Sequence, residues 1–202
     1  MKLNNFINEN NSHRPNCNLC QESKLDVGSL TNYGAIIIYK VGDFKDGWFA
    51  TLSPKTGGNP EQDFTIQLMP LAHLTHFSQI SNYQDSDKNY GVAFAKVSNA
   101  MLKIMADDKF EPTINSKDLA ISIGTYGKCT NWIEKKEHLH LKLFPFKGAI
   151  GQPYTVDSSF ERKEVYEDEL GEKFVKMKPI NKIPIPQKRF NELAKKLVGL
   201  LK

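Results

Sequence analysis

Between Glu137 and Phe144 (EHLHLKLF), apolar and nitrogen-bearing side chains alternate without a break up to Leu143. A period of two is the signature of a β-strand, whose successive side chains leave opposite faces. Leu139, Leu141 and Leu143 therefore share one face, and His138, His140 and Lys142 share the other. A strand of this kind needs an apolar layer on one side only. It commits the chain to a sheet packed under helix on one face and polar on the other.

A layer suited to the leucine face lies upstream. Ser86 to Asp107 reads as a long helix, with Val92, Phe94, Ala95, Val97, Met101, Leu102 and Met105 on or near one side at helical spacing. Strand-like runs precede it. Gly34–Val41 is rich in β-branched residues, Asp46–Leu52 reads as its hairpin partner, and Phe64–Met69 ends at Pro70. Ser53–Asp63, with two prolines and two adjacent glycines, reads as a loop. Leu74–Ile80 reads as a short helix, and Asp118–Ile123 as a fourth strand stopped by Gly124. Runs of strands around one helix predict an α+β fold, with a mostly antiparallel sheet of about five strands and one long packed helix.

Beyond this lies a C-terminal extension. Thr155–Lys178 is charged and hairpin-like, Pro179–Pro186 is a proline-spaced linker, and Gln187–Lys202 is an amphipathic helix with Phe190, Leu193, Leu197 and Leu200 on one side. The expected organisation is a peripheral segment 1–15, a domain over 16–150 and an extension over 151–202.

A chain of 202 residues can bury a core that needs neither metal nor disulfide to fold. No apolar run approaches the ~18 residues of a membrane span. The Asn-rich start lacks the apolar core of a secretory signal, so a cytoplasmic protein is expected. The formal charge of +4 mildly favours anionic ligands but is too small to argue for nucleic acid. Cysteines number three, an odd count that speaks against a disulfide framework. Cys17 and Cys20 form a C-x-x-C pair, which can chelate a metal from a tight turn, cycle as a redox pair or be two unrelated thiols. The His138/His140 pair likewise leaves two readings open, a polar sheet face or a metal chelate.

The run from His138 to Pro145 resembles the signature of the histidine-triad superfamily of nucleotide hydrolases and transferases. That signature reads histidine, apolar, histidine, apolar, histidine, two apolar residues, often followed by proline. A transferase branch, including galactose-1-phosphate uridylyltransferase and dinucleoside-polyphosphate phosphorylases, has glutamine at the third position. Three further matches follow the family's order: Cys17-x-x-Cys20, the strand end Phe49–Pro54, and Pro70-Leu-Ala-His73 with Phe77 and Ile80 after it. The similarity spans about residues 17 to 146. It implies one zinc held by Cys17, Cys20, His73 and His138, with His76 as the competitor for the third place. Four protein ligands close a tetrahedral shell, so the zinc would be structural. It implies His140 as nucleophile toward the α-phosphate of a nucleotide, with its second ring nitrogen kept protonated by an acceptor, in the family usually a backbone carbonyl. It also implies a homodimer.

This sequence departs from the pattern at two places. Lys142 stands where the family has histidine or glutamine; a lysine can neutralise phosphoryl oxygens but is a poor proton shuttle at its ordinary pKa. Thr51 stands where many members bind ribose with aspartate. Gly127–Asn131 resembles the glycine/serine phosphate loop, which would bring Thr130 and Asn131 to phosphate, though Trp132 to Glu137 intervene and an ordinary loop fits as well. The expected function is nucleotidyl transfer or hydrolysis on a dinucleoside polyphosphate, nucleotide sugar or phosphoramidate, with His140 and Lys142 catalytic and Thr51, Thr130 and Asn131 binding nucleotide. The rival is a non-catalytic nucleotide-binding or interaction protein that keeps the fold and the zinc.

Overall fold

A short helix, α1 (Asn18–Glu22), precedes the hairpin of β1 (Ile36–Val41) and β2 (Trp48–Leu52). The two-residue strand β3 (Lys55–Thr56), strand β4 (Ile66–Pro70), a 3-10 turn (Phe77–Asn82) and the long helix α2 (Ser86–Asp107) follow. Then come β5 (Ile121–Tyr126), β6 (His140–Pro145), a second hairpin of β7 (Phe160–Glu167) and β8 (Lys173–Pro179), the short β9 (Ile183–Pro184) and helix α3 (Gln187–Leu200). This computed structural model describes residues 14–108, 119–126, 138–146, 160–167, 169–171, 173–179 and 182–202.

The expected α+β architecture is present. Five strands form an antiparallel sheet in the order β1-β2-β4-β6-β5. Its helix-covered face is the main core. Leu139, Leu141 and Leu143 lie there with Leu68 of β4 and with Ala93, Val97, Ala100, Met101, Ile104 and Met105 of α2. Val97, Met101 and Met105 of the stripe read in the sequence are buried there and Phe94 and Leu102 pack against it; Ala93, Ala100 and Ile104 join them, while Val92 is 39% exposed. The reason is packing. Alanines at 93 and 100 let the helix lie close to the sheet, which a stripe centred on larger side chains would not.

Other boundaries moved for similar reasons. Gly124 does not stop β5 but pairs with Lys142 inside it, because cross-strand hydrogen bonding on β6 outweighs glycine's weak strand preference. Pro70 closes β4 as its last residue, paired with Trp48. The helix expected at Leu74–Ile80 is the 3-10 turn Phe77–Asn82. The proline-spaced linker is not a bare connector: Lys55 pairs with Pro184 and Thr56 with Ile183, and the Ile185 N–H donates to the Pro54 carbonyl at 2.9 Å.

The terminal helix belongs to the same core as the sheet. Ile185, Phe190, Leu193, Ala194, Leu197 and Leu201 join the cluster, and α3 packs on α2 and β1. Leu200, expected on the buried side, is 43% exposed. Arg189 and Lys196 fasten α3 to Asp108 at the end of α2, at 3.2 and 3.0 Å. No described helix is long and apolar enough to cross a membrane.

The opposite face carries a smaller cluster of Ile37, Phe49, Met69 and Leu71, covered by Leu19 and Leu25 of the N-terminal segment. The segment is moored by Lys40 of β1, whose ammonium donates to the carbonyls of Ser23 and Leu25 at 2.9 and 3.1 Å. This holds α1 over the sheet beside β6.

Leu68 is fully buried on β4, between β2 and β6. Leu68→Ala is expected to cost ~2–5 kcal/mol through lost burial and the cavity left behind, measured as a lower urea midpoint with an unchanged slope.

Candidate functional site

Two contacts bring distant residues to the start of β6. The Leu139 N–H donates to the Leu74 carbonyl at 2.6 Å, clamping the segment after β4 against the residue before the strand. His73 and His138 then meet edge to face, with ring centroids 5.0 Å apart. From the other side, α1 delivers two thiols, one at its cap (Cys17) and one within it (Cys20).

The ligand atoms of Cys17, Cys20, His73 and His138 all lie within 4.8 Å of one another, and all four residues are buried. The Cys20 sulfur is 3.2 Å from His73 Nδ1, and His138 Nδ1 is 3.5 Å from both sulfurs. A tetrahedral zinc with Zn–S ~2.3 Å and Zn–N ~2.0 Å spaces its ligand atoms by roughly 3.3–3.8 Å; the nitrogen–sulfur distances above are close to this, so the cluster could hold a metal ion.

The tautomer of His138 fits as well. Its Nε2 lies 3.0 Å from the Pro70 carbonyl. A carbonyl only accepts, so Nε2 carries the proton and Nδ1 presents its lone pair to the sulfurs. This is the carbonyl-oriented arrangement of metal-ligating histidines. His73 Nε2, by contrast, is buried and finds no acceptor among the described residues.

The thiols share a proton. A hydrogen bond from Cys20 holds Cys17 well below the usual thiol range, against the opposing effect of burial. The same bond and burial hold Cys20 well above it. A buried thiolate between two imidazoles is stabilised by a cation in place of that proton. His76, the rival third ligand, lies outside the cluster at the start of the 3-10 turn, where its N–H donates to Gln79 Oε1 at 2.9 Å.

Past the cluster, the same sheet face opens into a cavity of about 710 Å³ lined by His138, His140, Lys142, Thr51 and Gln67, among others. The register explains the lining. Thr51 pairs with Gln67, and Gln67 pairs with Lys142, so the three form a cross-strand row. His140 is half-buried, and its Nδ1 lies 3.0 Å from the backbone carbonyl of His138. By the same argument Nδ1 holds the proton and the lone pair resides on Nε2. Lys142 is only 6% exposed. Burial, and then the charge of Lys182, bring its pKa down from 10.5 to about 8.

Cys17, Cys20, His73 and His138 thus come together as the resemblance implied, and His140, Lys142 and Thr51 gather around the adjoining cavity. Thr130 and Asn131 lie outside the described residues. Sequence reasoning missed Gln67, Lys55 and Lys182. Gln67 was visible in principle, since it alternates with apolar neighbours in β4. Nothing local marked the two lysines, which reach the cavity through the β3–β9 pairing.

His138→Ala removes a candidate ligand and the clamp to Pro70. Metal affinity is expected to fall more than ~100-fold, beyond the cost of a second-shell change, read as metal per chain after dialysis against a weak chelator. Lys142 gives a pH signature. Between pH 8 and 10.5 the folded chain holds fewer protons at this residue than the unfolded chain, so stability rises with pH across that window. Lys142→Met should lack the rise, and the difference between the two melting curves should shrink as pH increases.

No protein-family model, curated protein or solved structure matches this chain.

Proposed function

We propose that the chain is a nucleotidyl hydrolase or transferase of histidine-triad type, acting on a nucleoside phosphate through a covalent nucleotidyl-His140 intermediate. The observation that carries this reading is the His140 imidazole, held by the His138 carbonyl with its proton on Nδ1 while the residue lines a cavity. A neutral imidazole in that tautomer is a nucleophile whose attacking nitrogen needs no deprotonation. The resemblance of the His138–Pro145 run to the family signature supports the same reaction class.

In this mechanism His140 Nε2 attacks the α-phosphorus, and a P–N bond forms as the P–O or P–N bond to the leaving group breaks. The leaving group departs with the electron pair and takes up a proton. Water or another acceptor then attacks phosphorus and releases His140. Lys142, on the same face of β6, neutralises charge on the phosphoryl oxygens. Its lowered pKa also puts its proton within reach of a departing oxygen near neutral pH. Thr51 and Gln67 offer hydrogen bonds from the neighbouring strands. Cys17, Cys20, His73 and His138 would hold zinc as a closed structural shell that ties α1 to β6. We also propose a homodimer, on the family resemblance alone.

The test incubates the purified protein with dinucleoside polyphosphates, nucleotide sugars and adenosine phosphoramidate, and reads turnover together with the mass of the acid-labile adduct. His140→Ala is expected to lose at least ~1000-fold in kcat and all adduct, with metal content and melting temperature kept. Tight nucleotide binding with neither turnover nor adduct on any substrate would instead support a non-catalytic nucleotide-binding protein.

A further inference from the structure

We infer that Lys55, Lys142 and Lys182 build a second anionic subsite beyond the reacting phosphate, walled in part by the C-terminal extension and suited to a further phosphoryl group on the same ligand. All three line the cavity that holds His140, yet they come from three separate stretches of chain. Lys142 is the buried cation on β6. Lys55 is fixed where the chain leaves β2: its N–H donates to Ser53 Oγ at 3.3 Å, and Ser53 Oγ donates to its carbonyl at 2.8 Å. Lys182 stands immediately before β9. Because Lys55 pairs with Pro184, and Lys182 lies two residues from Pro184, the two lysines are diagonal neighbours on one side of the ribbon.

The ribbon is firmly held. Besides its pairing with β3, Ile185 donates to the Pro54 carbonyl and is itself buried in the main core. The extension therefore delivers Lys182 to the cavity rather than leaving it on a loose tail. Lys182 is close enough for its charge to act on Lys142.

Like charges gathered around one cavity repel, and burying one of them adds a desolvation cost. Among the described residues that line the cavity Glu22 is the single acidic one, and the lysines there outnumber it. A bound polyanion would offset the repulsion through charge-assisted hydrogen bonds. Along the chain into β6 the order is His138 at the Cys/His cluster, then His140, then Lys142, and the ribbon adjoins the lysine end. A ligand whose α-phosphate faces His140 would thus direct its next phosphate toward the lysines.

This deepens the reading above and relies on it only for which phosphate reacts. It favours leaving groups that are themselves phosphates over amines. Among the substrate classes considered, it selects polyphosphates and nucleotide sugars ahead of phosphoramidates.

The test needs no turnover. Inorganic tripolyphosphate and orthophosphate are titrated by calorimetry into the wild-type chain, into Lys55→Ala/Lys182→Ala, and into Lys188→Ala/Lys195→Ala, which removes the same charge from helix α3. Wild type and the α3 control are expected to bind tripolyphosphate at least ~10-fold more tightly than orthophosphate, and the Lys55/Lys182 variant to lose most of that preference. Equal loss in both double variants would reduce the effect to net charge and overturn the subsite. So would full retention in the Lys55/Lys182 variant, or no preference in the wild type. If His140 forms no adduct but the preference depends on Lys55 and Lys182, the proposed reaction fails and the subsite stands. If the adduct forms and the preference is absent, the reverse holds.

Discussion

The imidazole of His138 is gripped at both nitrogens, and the rest of the site depends on that grip. Nε2 donates to the Pro70 carbonyl at the end of β4, and Nδ1 faces the two thiols of the N-terminal segment. One side chain thereby joins three stretches of chain that are far apart in sequence. Its backbone carbonyl is also the acceptor for His140 Nδ1. A cation at the cluster would therefore do more than brace the N-terminal turn. By fixing His138 it would fix the group that sets the tautomer of His140, coupling occupancy of the cluster to the orientation of that imidazole.

The two-faced character of β6 explains how this polar assembly coexists with a stable core. Leu139, Leu141 and Leu143 anchor the strand to α2 and the neighbouring strands, so the opposite face can carry residues that cost stability. Lys142 is such a residue. The sequence raised an objection to it, since a lysine at its ordinary pKa holds its proton too tightly to hand it on. Burial and the nearby Lys182 weaken that objection by bringing the pKa to about 8. The shift arises from contacts made by the fold and by the C-terminal extension, and the residue type alone does not carry it.

That contrast marks where the sequence was legible. Strand existence and the inward leucines of β6 were readable because period-two alternation is a local signal. The four clustered residues were nameable because the C-x-x-C pair has its own spacing logic and the remaining two fell in the order of a family pattern. His73 could be preferred to His76 only on that pattern, and the structure gives the physical ground: the Leu139–Leu74 bond places 73, and not 76, beside His138. The buried side of α2 was read in the main, since Val97, Met101 and Met105 are core, but close approach to the sheet brings in Ala93 and Ala100 and leaves Val92 and Ala95 exposed. Gly124 was misread because cross-strand pairing overrides local preference.

The least legible residue at the cavity is Lys182. Its segment looked like a spacer because prolines punctuate it, and proline cannot donate a ladder hydrogen bond. In the fold the same prolines are tolerated, since β3–β9 is a short two-stranded ribbon in which a missing donor on the outer side goes unfelt. Ile185 and α3 then lock the segment into the core. An extension that served only to cover apolar surface would need Ile185, Phe190 and Leu197 but would have no use for a cation at the cavity wall. The same few residues thus tie the segment into the core and place Lys182 at the cavity wall, so truncation before residue 182 would remove core packing and that cation together.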